Sequence, residues 1–114
     1  MVVYSNQPAV TELDEFYIHT VAVETYEGSG AAGDVYALPQ YVDGFLEGKV
    51  ILVRDSKGQQ VVASSRFFTD TEYAGIFTPD SRITIDGRVS YVISQNRNDS
   101  GNLHLPDHAE IYLK

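Results

Sequence analysis

The chain has 114 residues, 43% of them hydrophobic and 11% aromatic, and sixteen acidic against eight basic residues give a formal charge of −8. That length holds one domain, residues 1–114, around one modest core, and such acidity argues against tight nucleic-acid binding, which draws on Lys and Arg. The absence of cysteine excludes a disulfide scaffold and a thiolate zinc site, and no apolar run approaches the roughly 18–20 residues of a membrane-spanning helix.

Residues 1–15 show no sustained period. Pro8 breaks the segment, and the acids of Thr11-Glu12-Leu13-Asp14-Glu15 favour at most a short helical start. The stretch reads as an N-terminal arm on a neighbouring subunit or as a frayed end, and it lacks the basic n-region of a signal peptide. Phe16–Tyr26 is β-branched and aromatic and predicts the first long strand, with Tyr17, His19, Val21 and Val23 on one face. Glu27–Gln40 is rich in small residues and predicts a mobile loop. It is not a phosphate-cradling loop, because that motif ends in Lys-Ser/Thr and here Asp34 stands at its end.

Tyr41–Arg54 predicts a second strand, bent or bulged at Gly44 and Gly48. Val50–Val53 is four consecutive apolar residues, as expected of a strand covered on both faces. Asp55-Ser56-Lys57-Gly58 is a turn, and Gln60–Phe68 predicts an antiparallel partner strand. Thr69–Gly75 is a loop or single turn, and Thr78-Pro79-Asp80-Ser81 turns the chain again. Period-two alternation then flanks Asp86-Gly87, which predicts a tight hairpin between strands 81–86 and 88–95 with Ile83, Ile85, Val89, Tyr91 and Ile93 buried. A second longer loop covers 95–106, and Ala109, Ile111 and Leu113 close the fold. The whole predicts an all-β fold, a small antiparallel β-barrel or sandwich of about six strands with two longer loops.

Little of this resembles catalytic machinery. His104 and His108 are four apart, but Pro106 between them opposes a helical metal pair, so solvated loop histidines are the reading, with Asp107 beside them. His19 reads as a half-buried packing residue. The acid pairs Asp70/Glu72 and Asp14/Glu15 lack the cleft and raised pKa that acid–base work needs. No catalytic, cofactor-binding or metal residue is assigned. Eight tyrosines are more than so small a core holds, and tyrosine is enriched at protein interfaces. Tyr26, Tyr36, Tyr41, Tyr73 and Tyr112 are the candidate interface residues.

The order of signals resembles the head-to-tail stopper, or head completion, proteins of the neck of long-tailed bacteriophages. The resembling pieces are Leu52-Val53-Arg54-Asp55 with Gly58, Val61-Val62 and Ser64; the turn from Pro79 to Gly87; and Pro106-Asp107-His108 before the last strand. They fall between Gly33 and Leu113. The resemblance implies a structural virion protein without enzymatic activity or cofactor. It would be a small β-barrel forming a homo-oligomeric ring of about twelve copies, assembled in the host cytoplasm. The ring would sit below the portal and its adaptor and above the tail terminator or tube. There it would retain packaged double-stranded DNA and let it pass without specific binding, away from any membrane. An acidic lumen suits that passage, since like charge prevents sticking. Glu27, Gly28, Gly30, Gly33 and Asp34 are the candidate lumen residues, with the 95–106 loop as second choice. The alternative is a monomeric β-barrel module binding a protein or peptide through exposed tyrosines; a nucleic-acid-binding barrel of the oligonucleotide-binding type fits the charge less well.

Overall fold

The structure is a computed structural model that describes residues 18–98 and 108–114, with only the backbone of Arg97 and Asn98. Among the described residues eight strands run in chain order: β1 (His19–Glu24), β2 (Tyr26–Gly30), β3 (Gly33–Tyr36), β4 (Gln40–Arg54), β5 (Gln60–Thr69), β6 (Arg82–Ile85), β7 (Arg88–Asn98) and β8 (His108–Leu113). A 3-10 helix, Thr71–Ile76, lies between β5 and β6. Six strands close an antiparallel barrel in the order β1-β4-β5-β8-β7-β6, and β2 and β3 form a separate hairpin. The all-β barrel expected from the alternation is what folds. Closure removes the sheet edges that a small open sheet would leave unpaired.

Alternate residues of each strand fill the interior. Val21 and Val23 of β1, Phe67 of β5, Ile83 of β6 and Ala109, Ile111 and Leu113 of β8 are all buried. Phe67 stacks against Phe77, which follows the 3-10 helix, with ring centroids 5.9 Å apart. Gly44 of β4 faces that pair. A Cβ there would run into the Phe67 ring and the Phe68 carbonyl oxygen, so glycine at this position serves close approach; of the bulge or bend expected there, the bulge is not found. The bulge lies later in β4, where Lys49 and Val50 together oppose Ser64 between the pairs Gly48–Ser65 and Ile51–Ala63. Gln95 of β7 pairs with Ile111, an interior position. Its amide satisfies itself there by donating to the carbonyls of Ala74 (2.8 Å) and Phe77 (3.1 Å), tying the 3-10 helix to the barrel.

The Asp86-Gly87 hairpin forms as expected, with φ of 49° and 78°, both positive as a type I′ turn requires. Its outgoing strand is turned over, however. A two-residue turn pairs Ile85 with Arg88 and Ile83 with Ser90, and directly opposed residues share a face. Val89 and Tyr91 therefore stand outside with Thr84 and Arg82, correcting the expectation that they are buried. A bulge between Val92 and Ser94 then turns both Val92 and Ile93 inward. Asp80, with φ of 71°, occupies the left-handed position of the Thr78–Ser81 turn, which the Ser81 N–H to Thr78 carbonyl bond closes at 3.0 Å.

Three further expectations are corrected. Glu27–Gln40 is not a loop: Tyr26–Gly30 and Gly33–Tyr36 pair across a two-residue turn at Ala31-Ala32. The second longer loop is shortened, because Gln95–Asn98 belongs to β7; residues 99–107 lie outside the described residues, as do 1–17. Val50–Val53 is not covered on both faces, since Val50 and Leu52 are exposed. β8 meets β5 only from Ser65 to Thr69, and β1 meets β4 only from Gln40 to Gly44. Among the described residues, the remaining Ile51–Arg54 and Gln60–Ala63 pair with each other alone as a β4–β5 extension.

Candidate interaction surfaces

The β2–β3 hairpin gathers several of the residues singled out in the sequence. The Tyr26 and Tyr36 rings meet edge to face, 5.6 Å between centroids, across paired positions. The Ser29 hydroxyl donates to Asp34 Oδ1 at 2.9 Å, and the Tyr26 hydroxyl reaches the same oxygen at 3.3 Å. Gly28 and Gly33 have φ of 112° and 109°, values that L side chains rarely adopt. The base of the hairpin is anchored where Tyr26 N–H donates to the buried Ser81 hydroxyl (2.9 Å) and Ala37 N–H to the Thr25 carbonyl (2.8 Å). Glu27, Gly30, Gly33 and Asp34 are exposed, whereas Gly28 is half-buried.

Beside that hairpin, Tyr26, Asp34, Tyr36, Asp80, Tyr91 and Lys114 line an open cavity of about 490 Å³. Arg82 forms part of its framework. The guanidinium lies 4.5 Å from the centre of the Tyr36 ring and grips Glu24 with both forks, Nε to Oε1 at 2.8 Å and Nη2 to Oε2 at 3.0 Å. Burial, followed by the neighbouring Asp34 charge, raises the Tyr36 phenol above its usual range. The Arg82 hydrogen bond holds the Glu24 carboxyl below its ordinary value of about 4.5. A carboxyl depressed in the folded state stabilises the fold above its unfolded pKa and loses that contribution as pH falls through the folded value. The urea midpoint of the protein is therefore expected to fall more steeply from pH 5 to pH 3 than that of Glu24→Gln, with the two curves converging at the acid end. Parallel curves would remove Glu24 from the acid response.

The second surface is the outer face of the β4–β5 extension. Val50 is 78% exposed, Leu52 59% and Val62 57%, and Leu52 pairs directly with Val62. The other face of the same ribbon, with Ile51, Val53, Val61 and Ala63, is half-buried or buried. Both faces are apolar, then, and one is exposed among the described residues. At the tip, Asp55 accepts the N–H groups of Gln59 (2.9 Å) and Lys57 (2.8 Å), which, Gln59 foremost, lower its pKa, and Arg54 Nη1 donates to the Gly58 carbonyl at 2.7 Å. Gly58 closes this turn at φ of 82°.

The third surface is acidic and aromatic. Tyr41 is 74% exposed and shares the outer face of β4 with Asp43, whose Oδ1 accepts from Thr20 at 2.6 Å. Ile18, just before β1, is 70% exposed. Tyr73, on the 3-10 helix, is raised in pKa by a hydrogen bond with Glu72 and by the charges of Glu72, Asp70 and Asp43. Tyr112 is placed differently. It is half-buried in a network that spans β4, β5 and β8, where Arg66 bonds Glu47 (2.6 Å) and Glu110 (3.4 Å), and the Tyr112 hydroxyl donates to Glu110 at 3.1 Å. Burial first, then the Glu110 charge, raises its pKa.

The candidate interface tyrosines thus divide into a cavity pair (Tyr26, Tyr36), an acidic-face pair (Tyr41, Tyr73) and a network member (Tyr112). Tyr91, whose alternation assigned it to the interior, and Val62, in a strand whose faces the sequence left unassigned, are surface residues. His19 accepts the Leu46 N–H at Nδ1 (3.0 Å) and packs 5.6 Å from Phe45, the half-buried role expected of it. His108 lies 3.4 Å from Glu110, while His104, Asp107, Asp14 and Glu15 fall outside the described residues. Among the described residues no group of three His, Cys, Asp or Glu is placed to hold a metal ion, and no helix is long and apolar enough to cross a membrane. No family model matches the chain, and no curated protein matches it in sequence.

Proposed function

We propose that this chain is a structural assembly protein whose barrel packs side by side with copies of itself into a ring, the head-to-tail stopper of a bacteriophage neck. The observation that carries the reading is the β4–β5 extension: a two-stranded ribbon apolar on both faces, with Val50, Leu52 and Val62 open to solvent. An apolar strip of this kind marks an interaction surface. The net charge of −8 suits a channel through which DNA must slide. The β2–β3 hairpin, exposed and carrying Glu27 and Asp34 without Lys or Arg, is the part assigned to the channel wall. The portal and adaptor are its partners above, the tail proteins below.

The test is removal of the coding gene from the virus that carries it. Filled heads that lose DNA and fail to take tails, repaired by adding the purified chain, are the expected result, with the chain found on repaired particles as a ring. Normal tailed particles without the chain would end this reading. A binding module is the second reading, favoured by the tyrosine-lined cavity; it gains only if the chain stays apart from the particles and captures a peptide there.

A further inference from the structure

Two surfaces of the barrel are complementary, and one chain cannot bring them together. The outer face of the β4–β5 extension is apolar and basic: from Gly48 to Ser64 it carries Lys49, Arg54 and Lys57 against the single acid Asp55. That acid is occupied by the N–H groups of its own turn. Counted along its own residues the extension is thus net positive on a chain of charge −8, with its tip beside Asp80 and Lys114. The surface at the other end of β4 carries Tyr41, Asp43, Glu72, Tyr73 and Ile18, aromatic and negative. Tyr41 and Leu52 are eleven residues apart on the same strand. At about 3.3 Å per residue that is roughly 30 Å or more, too far for one surface to cover the other within a molecule.

We propose that the β4–β5 extension of one copy seats on the Tyr41–Asp43–Tyr73 face of a second copy. Val50, Leu52 and Val62 cover Tyr41 and Ile18, while Lys49 and Lys57 face Asp43 and Glu72. A second copy is the occupant because this chain supplies both charge signs and both apolar halves. Docking two extensions against each other would instead set three basic residues against three, a like-charge contact that opposes association. Because the two surfaces differ, the contact is heterologous, and each copy presents a free surface to the next; such contacts close into rings or run on as filaments. The pairing rests on the ring-forming reading above and says which surfaces make the ring.

The chain has no cysteine, so single cysteines report contacts without background. Leu52→Cys and Tyr41→Cys, prepared separately as full chains, are mixed at high concentration and oxidised mildly. The expected product is the mixed 52–41 disulfide, exceeding either homodimer at least about tenfold, as the charge preference requires. Sedimentation supplies the second measurement. Lys49→Glu with Lys57→Glu weakens self-association about tenfold or more. Adding a chain with Asp43→Lys and Glu72→Lys restores association between the two variants. Circular dichroism and thermal unfolding of each variant verify that the barrel is intact. A dominant 52–52 disulfide, indifference to charge reversal, or a chain that stays monomeric at millimolar concentration overturns the pairing. Rings on particles that lack the 52–41 contact overturn it too, while leaving the ring-forming function intact.

Discussion

Replacing Phe67 by alanine is expected to lower the unfolding free energy by about 3–5 kcal/mol, the range for emptying a buried aromatic site. The ring is fully buried near the C-terminal end of β5, stacks on Phe77 and covers Gly44. Neither neighbour can move easily into the hole. Gly44 has no side chain, its strand is fixed by pairing to both β1 and β5, and Phe77 is held at its carbonyl by Gln95. The cavity therefore stays open, which puts the expected loss at the upper end. Equilibrium urea unfolding measures it, and a loss under about 1 kcal/mol would mean that the site collapses and that the Phe67–Phe77–Gly44 contact is not the centre of the core. Gly44→Ala approaches the same contact from the other side. It overfills the space rather than emptying it and costs about 1–3 kcal/mol.

The Phe67–Gly44 contact also shows which part of the fold was legible in the sequence. Phe67 lies in a strand whose alternation and apolar content are visible locally. Gly44 lies in a strand too, but a glycine in a strand has two readings, bulge or close approach, and only the partner strand decides between them. At Gly48 the bulge reading holds for the neighbouring pair Lys49 and Val50; at Gly44 it does not. The hairpin at Asp86-Gly87 was legible because its cause is local: two residues with positive φ. Its consequence for the next strand was equally within reach. Pairing Ile85 with Arg88 forces Ser90 and Val92 onto the face of Ile83, so alternation read separately on each side of the turn put Val89 and Tyr91 on the wrong face. The bulge that then turns Ile93 inward beside Val92 has no signal in the sequence.

The interaction surfaces were legible in composition and not in arrangement. The surplus of tyrosines pointed outward correctly for Tyr41 and Tyr73, yet nothing local separates these from Tyr112, which Arg66 and Glu110 draw into a network from two other strands. Val50–Val53 was read as covered on both faces because four apolar residues in a row carry no alternation. The extension they form is two-faced, as that reading says, but within one barrel β1 and β8 reach only part of β4 and β5. The glycine-rich segment misled for a different reason. Its small residues argue for entropy, while its order arises from cross-strand pairs, Tyr26 with Tyr36 and Ser29 with Asp34. The pairs nearest the turn, Ser29 with Asp34 and Gly30 with Gly33, are symmetric about Ala31-Ala32, and that was the available signal; a bulge between Tyr26 and Gly28 shifts the Tyr26–Tyr36 pair by one residue.

If the β2–β3 hairpin lines a channel for DNA, reversing its charge will slow DNA release by an order of magnitude or more. Glu27→Lys with Asp34→Lys changes each chain by four charge units and, multiplied around a ring, turns a repelling wall into one that binds phosphate. The electrostatic origin predicts relief by salt, because each phosphate contact steepens the dependence of log affinity on log salt by about 0.9. Asp34 also accepts the Ser29 and Tyr26 hydroxyls, so the double reversal disturbs the hairpin as well as its charge. The neutral pair Glu27→Gln with Asp34→Asn separates the two effects. It keeps an acceptor oxygen at position 34 and adds no positive charge, and it is expected to release DNA at close to the normal rate. Ejection from particles carrying each pair, timed at low and at high ionic strength, gives the answer. Slow release for the lysine pair at low salt, restored at high salt and absent in the neutral pair, places the hairpin on the wall. Equal slowing in both pairs would make the defect structural, and unchanged, salt-independent release in the lysine pair would put the hairpin away from the DNA path.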